Sequence, residues 1–182
     1  ELGQNIKGQG YRFNLTTFYI VSENLIQWTP NNSGIFSPRN VKKAEQYGAE
    51  LELELKKTWG KHQLRFKNSY AYTKSVDKQS RDQLIYVPEH QFTSNLAYQF
   101  KRWDLYYQGL YNGSVFITTD NSEMLPGYSI SNLGVEHNFQ LSGKIKCTLG
   151  LKVNNVFNKY YQNVAFRPMP NRNFNLQFTT KF

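Results

Sequence analysis

The residue types that usually carry catalysis or bind metals are few in this sequence and lie far apart. The three histidines, His62, His90 and His137, match no metal-binding spacing and are interpreted as strand or interface residues. Gly8-Gln9-Gly10 lacks the remaining glycines of a phosphate-binding loop and a following helix. The single cysteine, Cys147, cannot form an internal disulfide. We therefore expect no enzyme, metal or cofactor, and an unrecognised His/Asp/Ser site is the enzymatic alternative.

The composition favours a protein that crosses a membrane with strands. Hydrophobic residues make up 39% of the 182 residues, and the apolar run at 18–21 is far shorter than the roughly 20 residues of a spanning helix. Thirteen Tyr, thirteen Phe and three Trp give an aromatic content of 16%. Such a content is typical of transmembrane barrels, which carry aromatic girdles at both membrane interfaces.

The net charge of +9 raises the alternative of a nucleic-acid-binding protein. Lys and Arg are spread along the chain, however, and do not cluster in one run. We therefore expect no nucleic-acid partner, and we expect outer-membrane lipid and lipopolysaccharide as partners. Residues 1–5 contain no signal peptide, so the chain is expected to be either a matured protein or a fragment.

The clearest strand pattern lies at residues 172–182. Even positions carry mostly apolar side chains, from Phe174 to Phe182, whereas odd positions carry polar ones, from Asn173 to Lys181. Because side chains alternate between the two faces of a strand, one face is apolar and the other polar. The same alternation recurs upstream and predicts about eight strands, at residues 9–28, 39–57, 61–77, 86–101, 103–118, 127–141, 144–157 and 171–182.

The connections between these strands alternate in length. Short ones are predicted near residues 59–60, 101–102 and 142–143, and long ones at 29–38, 77–86, 119–126 and 158–170. Outer-membrane barrels have short periplasmic turns and long extracellular loops, so the C-terminus is expected to be periplasmic. The predicted fold is an all-β antiparallel transmembrane barrel in the bacterial outer membrane. A shift of the apolar positions also predicts a bulge near Asn132.

A soluble antiparallel sandwich or lipocalin-like barrel is the structural alternative, since its strands alternate too. Large aliphatic side chains usually dominate the core-facing positions of such proteins. Here those positions are rich in Tyr and Phe, and the opposite positions carry many charges, such as Glu50, Glu52 and Glu54. The pattern therefore favours the membrane barrel.

The C-terminal segments resemble the closing hairpin of TonB-dependent outer-membrane receptors. The matching residues are Val153-Asn154-Asn155-Val156-Phe157-Asn158-Lys159-Tyr160-Tyr161 and Arg167-Pro168-Met169-Pro170-Asn171-Arg172-Asn173-Phe174. Asn171 stands where the family often has Gly, and both tolerate left-handed turns. Upstream, Asn40-Val41-Lys42-Lys43-Ala44 and Tyr47-Gly48-Ala49-Glu50 also resemble this family. Trp28-Thr29-Pro30 and Ser37-Pro38-Arg39-Asn40 are similar to cobalamin- and siderophore-type members of Bacteroidetes-like bacteria.

The resemblance implies a barrel of about 22 strands that is filled by an N-terminal plug. Residues 1–182 would then form the C-terminal portion of the barrel, without the plug and the earlier strands. The implied function is TonB-dependent uptake of a scarce chelate, a corrinoid or a ferric siderophore, with TonB acting through the missing N-terminal part. The alternative is a complete small eight-stranded barrel with a structural or adhesion role.

The resemblance also implies site residues. Loop aromatics and cations are the candidate ligand contacts, although each alone could equally belong to an interfacial girdle or contact lipopolysaccharide: Trp28, Phe36, Arg39, Tyr160, Tyr161, Phe166 and Arg167. Phe182 resembles the terminal aromatic residue that the barrel-assembly machinery recognises.

Overall fold

A computed structural model of the chain describes residues 1–30 and 35–182. The regular secondary structure of these residues is β-strand, and none of them belongs to a helix long and apolar enough to cross a membrane. The strands are β1 (Leu2–Gly8), β2 (Tyr11–Pro30), β3 (Phe36–Trp59), β4 (His62–Asp77), β5 (His90–Phe100), β6 (Trp103–Asn112), β7 (Val115–Phe116), β8 (Met124–Leu125), β9 (Tyr128–Ser142), β10 (Ile145–Asn154), β11 (Gln162–Val164), β12 (Arg167–Pro168) and β13 (Asn173–Lys181).

Nine strands of the described residues form one sheet, in the order β1-β2-β3-β4-β5-β6-β9-β10-β13. Each pairs with its neighbours in antiparallel fashion, which confirms the predicted fold class. The sheet has one strand more than the predicted eight, because β1 joins it through a turn at Gln9 and Gly10. Gly10 has a φ of 86°, and a Cβ there would lie 2.6 Å from the carbonyl oxygen of Lys56. Only glycine fits this close turn.

The two ends of the sheet differ in their connections. The turn edge carries the turns at residues 9–10, 60–61, 101–102 and 143–144, together with the end of β13. The opposite edge, here called the loop edge, carries the end of β2, the start of β3 and the connections at residues 78–89, 113–127 and 155–172. This is the predicted alternation of short and long connections, except that residues 29–30 and 36–38 of the first predicted long connection belong to β2 and β3. Residues 31–34, within the first predicted long connection, lie outside the described residues.

The two faces of the sheet follow the predicted alternation of side chains. On the apolar face, Leu149 is directly opposite Phe178 and Leu151 is directly opposite Leu176. On the polar face, Glu54 is directly opposite both Arg12 and Lys67. These strands therefore have one apolar face and one charged or polar face.

One row of aromatic residues crosses the apolar face near the turn edge. Directly opposing pairs link Trp59, His62, Phe100, Trp103 and His137 across five neighbouring strands, β3 to β6 and β9. The rings of His62 and Phe100 stack with centroids 4.4 Å apart. We call these five residues the turn-side aromatic row. Two of the three histidines are thus girdle-type residues, in agreement with their interpretation from the sequence.

A second row, the loop-side aromatic row, consists of Tyr70, Phe92 and Tyr111, which oppose one another directly on β4, β5 and β6. Along β4 it lies eight residues from His62, which corresponds to about 26 Å of strand. Transmembrane barrels carry an apolar band about 25 Å tall between two aromatic girdles, on strands tilted by roughly 40°. Because the strands are tilted, this length of strand corresponds to roughly 20 Å of height, so the two rows bound an apolar band somewhat shorter than the usual one.

The predicted bulge near Asn132 is wrong. Asn132 pairs in regular register with Gln108, and the irregularity of β9 lies between its pairing of Gln140 and that of Ser142 with β10. The apparent shift of the apolar positions has another cause. Tyr128 and Ile130 belong to the polar-face positions, and Ile130 is buried near the loop edge. A buried apolar side chain at a polar-face position thus imitates a change of face.

Candidate ligand-binding site at the loop edge

A polar cavity of about 610 Å³ opens among three connections of the loop edge. The end of the β2–β3 hairpin, the β4–β5 connection and the β6–β9 connection all contribute to it. Its lining residues are Gln27, Arg39, Asn40, Asp77, Gln79, Ser80, Asp82, Gln83, Leu84, Ile85, Thr119 and Asp120.

The β4–β5 connection begins with a tight turn at Asp77. The Asp77 carboxylate accepts a hydrogen bond of 2.8 Å from the backbone N–H of Gln79, which is the pattern of an Asx turn. The backbone N–H of Asp77 donates to the carbonyl of Asp82, and that of Leu84 donates to the carbonyl of Ser75. The chain therefore folds back along β4 and places Asp82 beside Asp77 at the cavity.

Asn121 joins the β4–β5 and β6–β9 connections. Its side-chain Oδ1 accepts from the backbone N–H of Gln83 at 2.7 Å, and its Nδ2 donates to the carbonyl of Gln83 at 2.9 Å. The amide thus imitates the pairing of a β-strand. A further bond runs from the N–H of Tyr86 to the carbonyl of Phe116. Both connections are held in a fixed relation by these bonds.

A small apolar cluster that includes the lining residue Leu84 supports the cavity. Ala44 and Leu84 are buried against each other, and the half-buried Leu25 and Val87 pack around them. Gln27 adds a bond of 3.4 Å from its Nε2 to the carbonyl of Ile85. The connections of the loop edge thus have a small core of their own, because the sheet itself leaves its apolar face open.

The cavity is rich in carboxylates. Asp77, Asp82 and Asp120 line it, and Arg39 is the one cationic side chain among the described residues of the lining. The hydroxyl of Ser122 donates to Asp120 at 2.7 Å, and this bond is the main cause that lowers the pKa of Asp120 to about 2. Asp120 is therefore ionised at neutral pH. Within the described ranges, no three His, Cys, Asp or Glu side chains come close enough together to hold a metal ion.

The predicted contacts fall into two groups. Trp28, Phe36 and Arg39 lie on the β2–β3 hairpin, where Trp28 is opposite Pro38 and Arg39 is opposite Gln27. Of the seven predicted contacts, only Arg39 lines the cavity. The sequence interpretation did not identify Asp77, Asp82 and Asp120, although turn-forming Asp and Ser residues mark both connections.

The second group lies on the β10–β13 connection. Tyr161 packs against Tyr128 with ring centroids 4.6 Å apart, while Tyr160 is exposed. Phe166 and Arg167 follow at the β11–β12 turn, where Phe166 is 91% exposed. A bond from the N–H of Ala165 to the hydroxyl of Tyr86 connects this loop to the β4–β5 connection.

Asn155 fastens the base of this last loop and was not singled out from the sequence as a separate residue. Its Oδ1 accepts from the N–H of Lys159 at 2.8 Å, and its Nδ2 donates to the carbonyls of Lys159 and Pro170. The N–H of Asn155 itself bonds to Oδ1 of Asn132. Oδ1 of Asn158 accepts a further bond from the N–H of Arg172. These bonds explain why asparagine occupies both positions of the motif.

The model of the family "TonB dependent receptor-like, beta-barrel" matches residues 1–156 of this chain. The chain belongs to this family. Its members are barrels of the bacterial outer membrane, so the apolar face of the sheet corresponds to the lipid side and the polar face to the lumen. The family is one of receptors and transporters.

Similar proteins agree with this assignment. The vitamin B12 transporter BtuB of Photobacterium profundum is 25% identical over 178 residues, which is 93% of this chain and 27% of that protein. The copper transporter OprC has 16% identity and a TM-score of 0.72, over 98% of this chain and 29% of its own. The ferric enterobactin receptor PfeA of Pseudomonas aeruginosa has 22% identity and a TM-score of 0.71, over 98% of this chain and 30% of its own. The chain described here thus spans less than a third of the length of each of these three proteins.

Proposed function

We propose that this chain is the C-terminal portion of a TonB-dependent receptor that takes up a scarce nutrient chelate, a corrinoid or a ferric siderophore. The observation that carries the proposal is the polar cavity, which three connections build on the loop edge of a sheet of this family. In this proposal the loop edge faces the exterior, and the turn edge with Phe182 faces the periplasm. The cavity then contributes to ligand capture.

The open edges of the sheet support a larger barrel. In the described residues β1 pairs only with β2, and β13 pairs only with β10. Unpaired edge strands are free to pair with further strands. The charged lumen side, where Glu54 lies 3.0 Å from Lys56, suits contact with a polar plug or with water. TonB would act through such a plug.

The charges of the cavity favour a corrinoid over a ferric catecholate. A ferric catecholate carries several negative charges and is bound well by clustered cations, whereas this cavity offers three carboxylates and Arg39. A corrinoid is fringed by amide groups, whose N–H donors bond to carboxylates and to the side chains of Asn40 and Gln27. Of the two ligand classes, the corrinoid fits the described lining better.

The proposal is tested with the full-length receptor in cells. We expect uptake of the ligand to require TonB, and Arg39→Ala combined with Asp82→Ala to weaken binding about tenfold or more. Glu123→Ala is the matched control, since Glu123 lies exposed on the same β6–β9 connection and outside the cavity. Equal uptake without TonB would refute TonB-dependent transport. Unchanged affinity in the double variant would remove the cavity from the ligand path.

A further inference from the structure

A second charged surface lies on the lipid side of the sheet, beyond the loop-side aromatic row. It consists of four cationic and three acidic residues, which we call the loop-side charged patch: Lys43, Lys74, Lys78, Arg81, Glu23, Glu45 and Glu89. Lys43, Glu45 and Tyr47 continue the lipid-facing positions of β3 that include Leu51. Lys74 of the patch is opposite Tyr47 and lies four residues along β4 beyond Tyr70, a member of the loop-side aromatic row. The patch therefore begins about 13 Å along the strand beyond the apolar band.

Glu45 is buried beneath two of the cations. Nζ of Lys78 lies 2.6 Å and Nη1 of Arg81 lies 3.4 Å from the Glu45 carboxylate, and the hydroxyl of Tyr19 donates to it at 3.1 Å. The Glu45 residue is only 9% exposed, whereas the side chains of Lys78 and Arg81 are 50% and 70% exposed. The bond to Glu45 raises the pKa of Lys78. The carboxylate thus fixes both cations and leaves their charge on the surface.

Both cations retain donors for a further partner. A lysine ammonium has three N–H donors and an arginine guanidinium has five, and Glu45 takes few of them. The other pairs of the patch, Lys43 with Glu23 and Lys74 with Glu89, match one cation with one carboxylate each. The excess positive charge is therefore concentrated at Lys78 and Arg81.

We infer that Lys78 and Arg81 form a binding site for a phosphate group of the lipid leaflet, with Glu45 as their positioning residue. The inference rests on the proposed orientation, in which the loop edge lies in the outer leaflet. The glycolipid of that leaflet, lipopolysaccharide, carries phosphates at the level where the aromatic row ends and the charges begin. Clustered Lys and Arg beside the apolar band recognise such head groups.

The test measures lipopolysaccharide retained by the purified full receptor. The double variant Lys78→Gln/Arg81→Gln should bind it about tenfold more weakly than the native receptor. The control Lys57→Gln/Lys101→Gln removes two charges near the turn edge, where Lys57 lies over the ring of Trp59, and should bind normally. The native receptor and the double variant should bind equally to lipopolysaccharide stripped of its lipid A phosphates. If the glycolipid is the source of the phosphate, they should also bind equally to phosphatidylethanolamine vesicles.

Resistance of the folded barrel to detergent confirms that each variant is folded. Equal retention of lipopolysaccharide by the Lys78/Arg81 variant and the control would overturn the inference. It would also be overturned if the variant kept lipopolysaccharide but lost an acidic protein partner. Neither residue lines the cavity, so ligand uptake should persist in the variant. A receptor that loses lipopolysaccharide but transports its ligand supports the patch, and one that binds lipopolysaccharide without transport refutes only the proposed function.

Discussion

Trp103 on β6 and His137 on β9 lie directly opposite each other, with ring centroids 4.2 Å apart. His137 also stacks on Phe139, so the indole ring is part of a continuous aromatic surface. Cross-strand aromatic pairs hold register, and rings with a polar edge suit a membrane interface. The contact of Trp103 with His137 therefore stabilises the pairing of β6 with β9 and also marks the depth at which the sheet meets the membrane interface.

Replacing Trp103 by Ala should destabilise the barrel by roughly 1 kcal/mol, because the pair with His137 is lost. The measurement is urea unfolding of the full receptor in lipid vesicles. Trp103→Phe keeps a ring in the row and should retain most of the stability. Unchanged stability in Trp103→Ala would show that the tilted ring pair contributes nothing.

A tyrosine over a glycine makes a second cross-strand contact, on the lumen side. Tyr106 is opposite Gly134, and a Cβ on Gly134 would lie 2.0 Å from Cζ of Tyr106. Gly134→Ala should therefore displace the ring and cost about 1 kcal/mol or more. In a Tyr106→Ala background the same substitution should cost nothing, which a double-mutant cycle measures. Additive effects would contradict this contact.

The alternation of side chains was predictable because its period follows directly from strand geometry. β1 escaped prediction because only Leu2 and Ile6 of its seven residues are large and apolar. Tyr106 made β6 irregular in sequence, since this aromatic residue lies on the polar face, where its ring packs over Gly134. Local pattern cannot reveal such a partner.

The cavity was less predictable than the sheet. It depends on the contact of Gln83 with Asn121, which is 38 residues away in the sequence. Arg39 was selected as a loop cation, but the three aspartates that line the cavity with it were not identified from the sequence. Tyr160, Tyr161, Phe166 and Arg167 remain predicted contacts on a separate connection.

The cavity wall should respond to acid through Asp120. Its pKa of about 2 lies below the ordinary value of 3.8, so its stabilising contribution is complete above about pH 4 and is lost as the pH falls towards 2. Cleavage of the connection at residues 113–127 by pepsin should therefore rise over this interval, after correction with an unstructured substrate. Asp120→Asn should be cleaved more readily at pH 4 and change less on acidification. Identical profiles would assign the effect to other groups.

Removal of the terminal Phe182 should lower insertion of the full receptor without altering its ligand specificity. The residue follows β13 at the turn edge and is 93% exposed, so it contributes little to packing in the sheet. Its proposed role is recognition by the barrel-assembly machinery. Quantifying receptor in outer-membrane fractions checks this, with Phe182→Tyr as a variant that keeps an aromatic terminus. Equal membrane levels of the deletion variant would refute the role.

The base of the last loop offers the sharpest test of the candidate ligand contacts there. Asn155→Ala removes the bonds to Lys159 and Pro170 and should cost about 1 kcal/mol, because these part-buried hydrogen bonds are lost. Asn155 has a φ of 50°, so Asn155→Gly separates the loss of the bonds from backbone strain.

If Tyr161 and Arg167 contact the ligand, both Asn155 variants should weaken binding as much as Tyr161→Ala/Arg167→Ala does. The reason is that the loop which carries them would lose its fixed base. Ligand titration of the purified full receptor measures these affinities, and the unfolding midpoint of each variant shows whether the barrel remains intact. Normal affinity in Tyr161→Ala/Arg167→Ala would exclude these contacts, and normal affinity in the Asn155 variants alone would show that the loop needs no fixed base to bind.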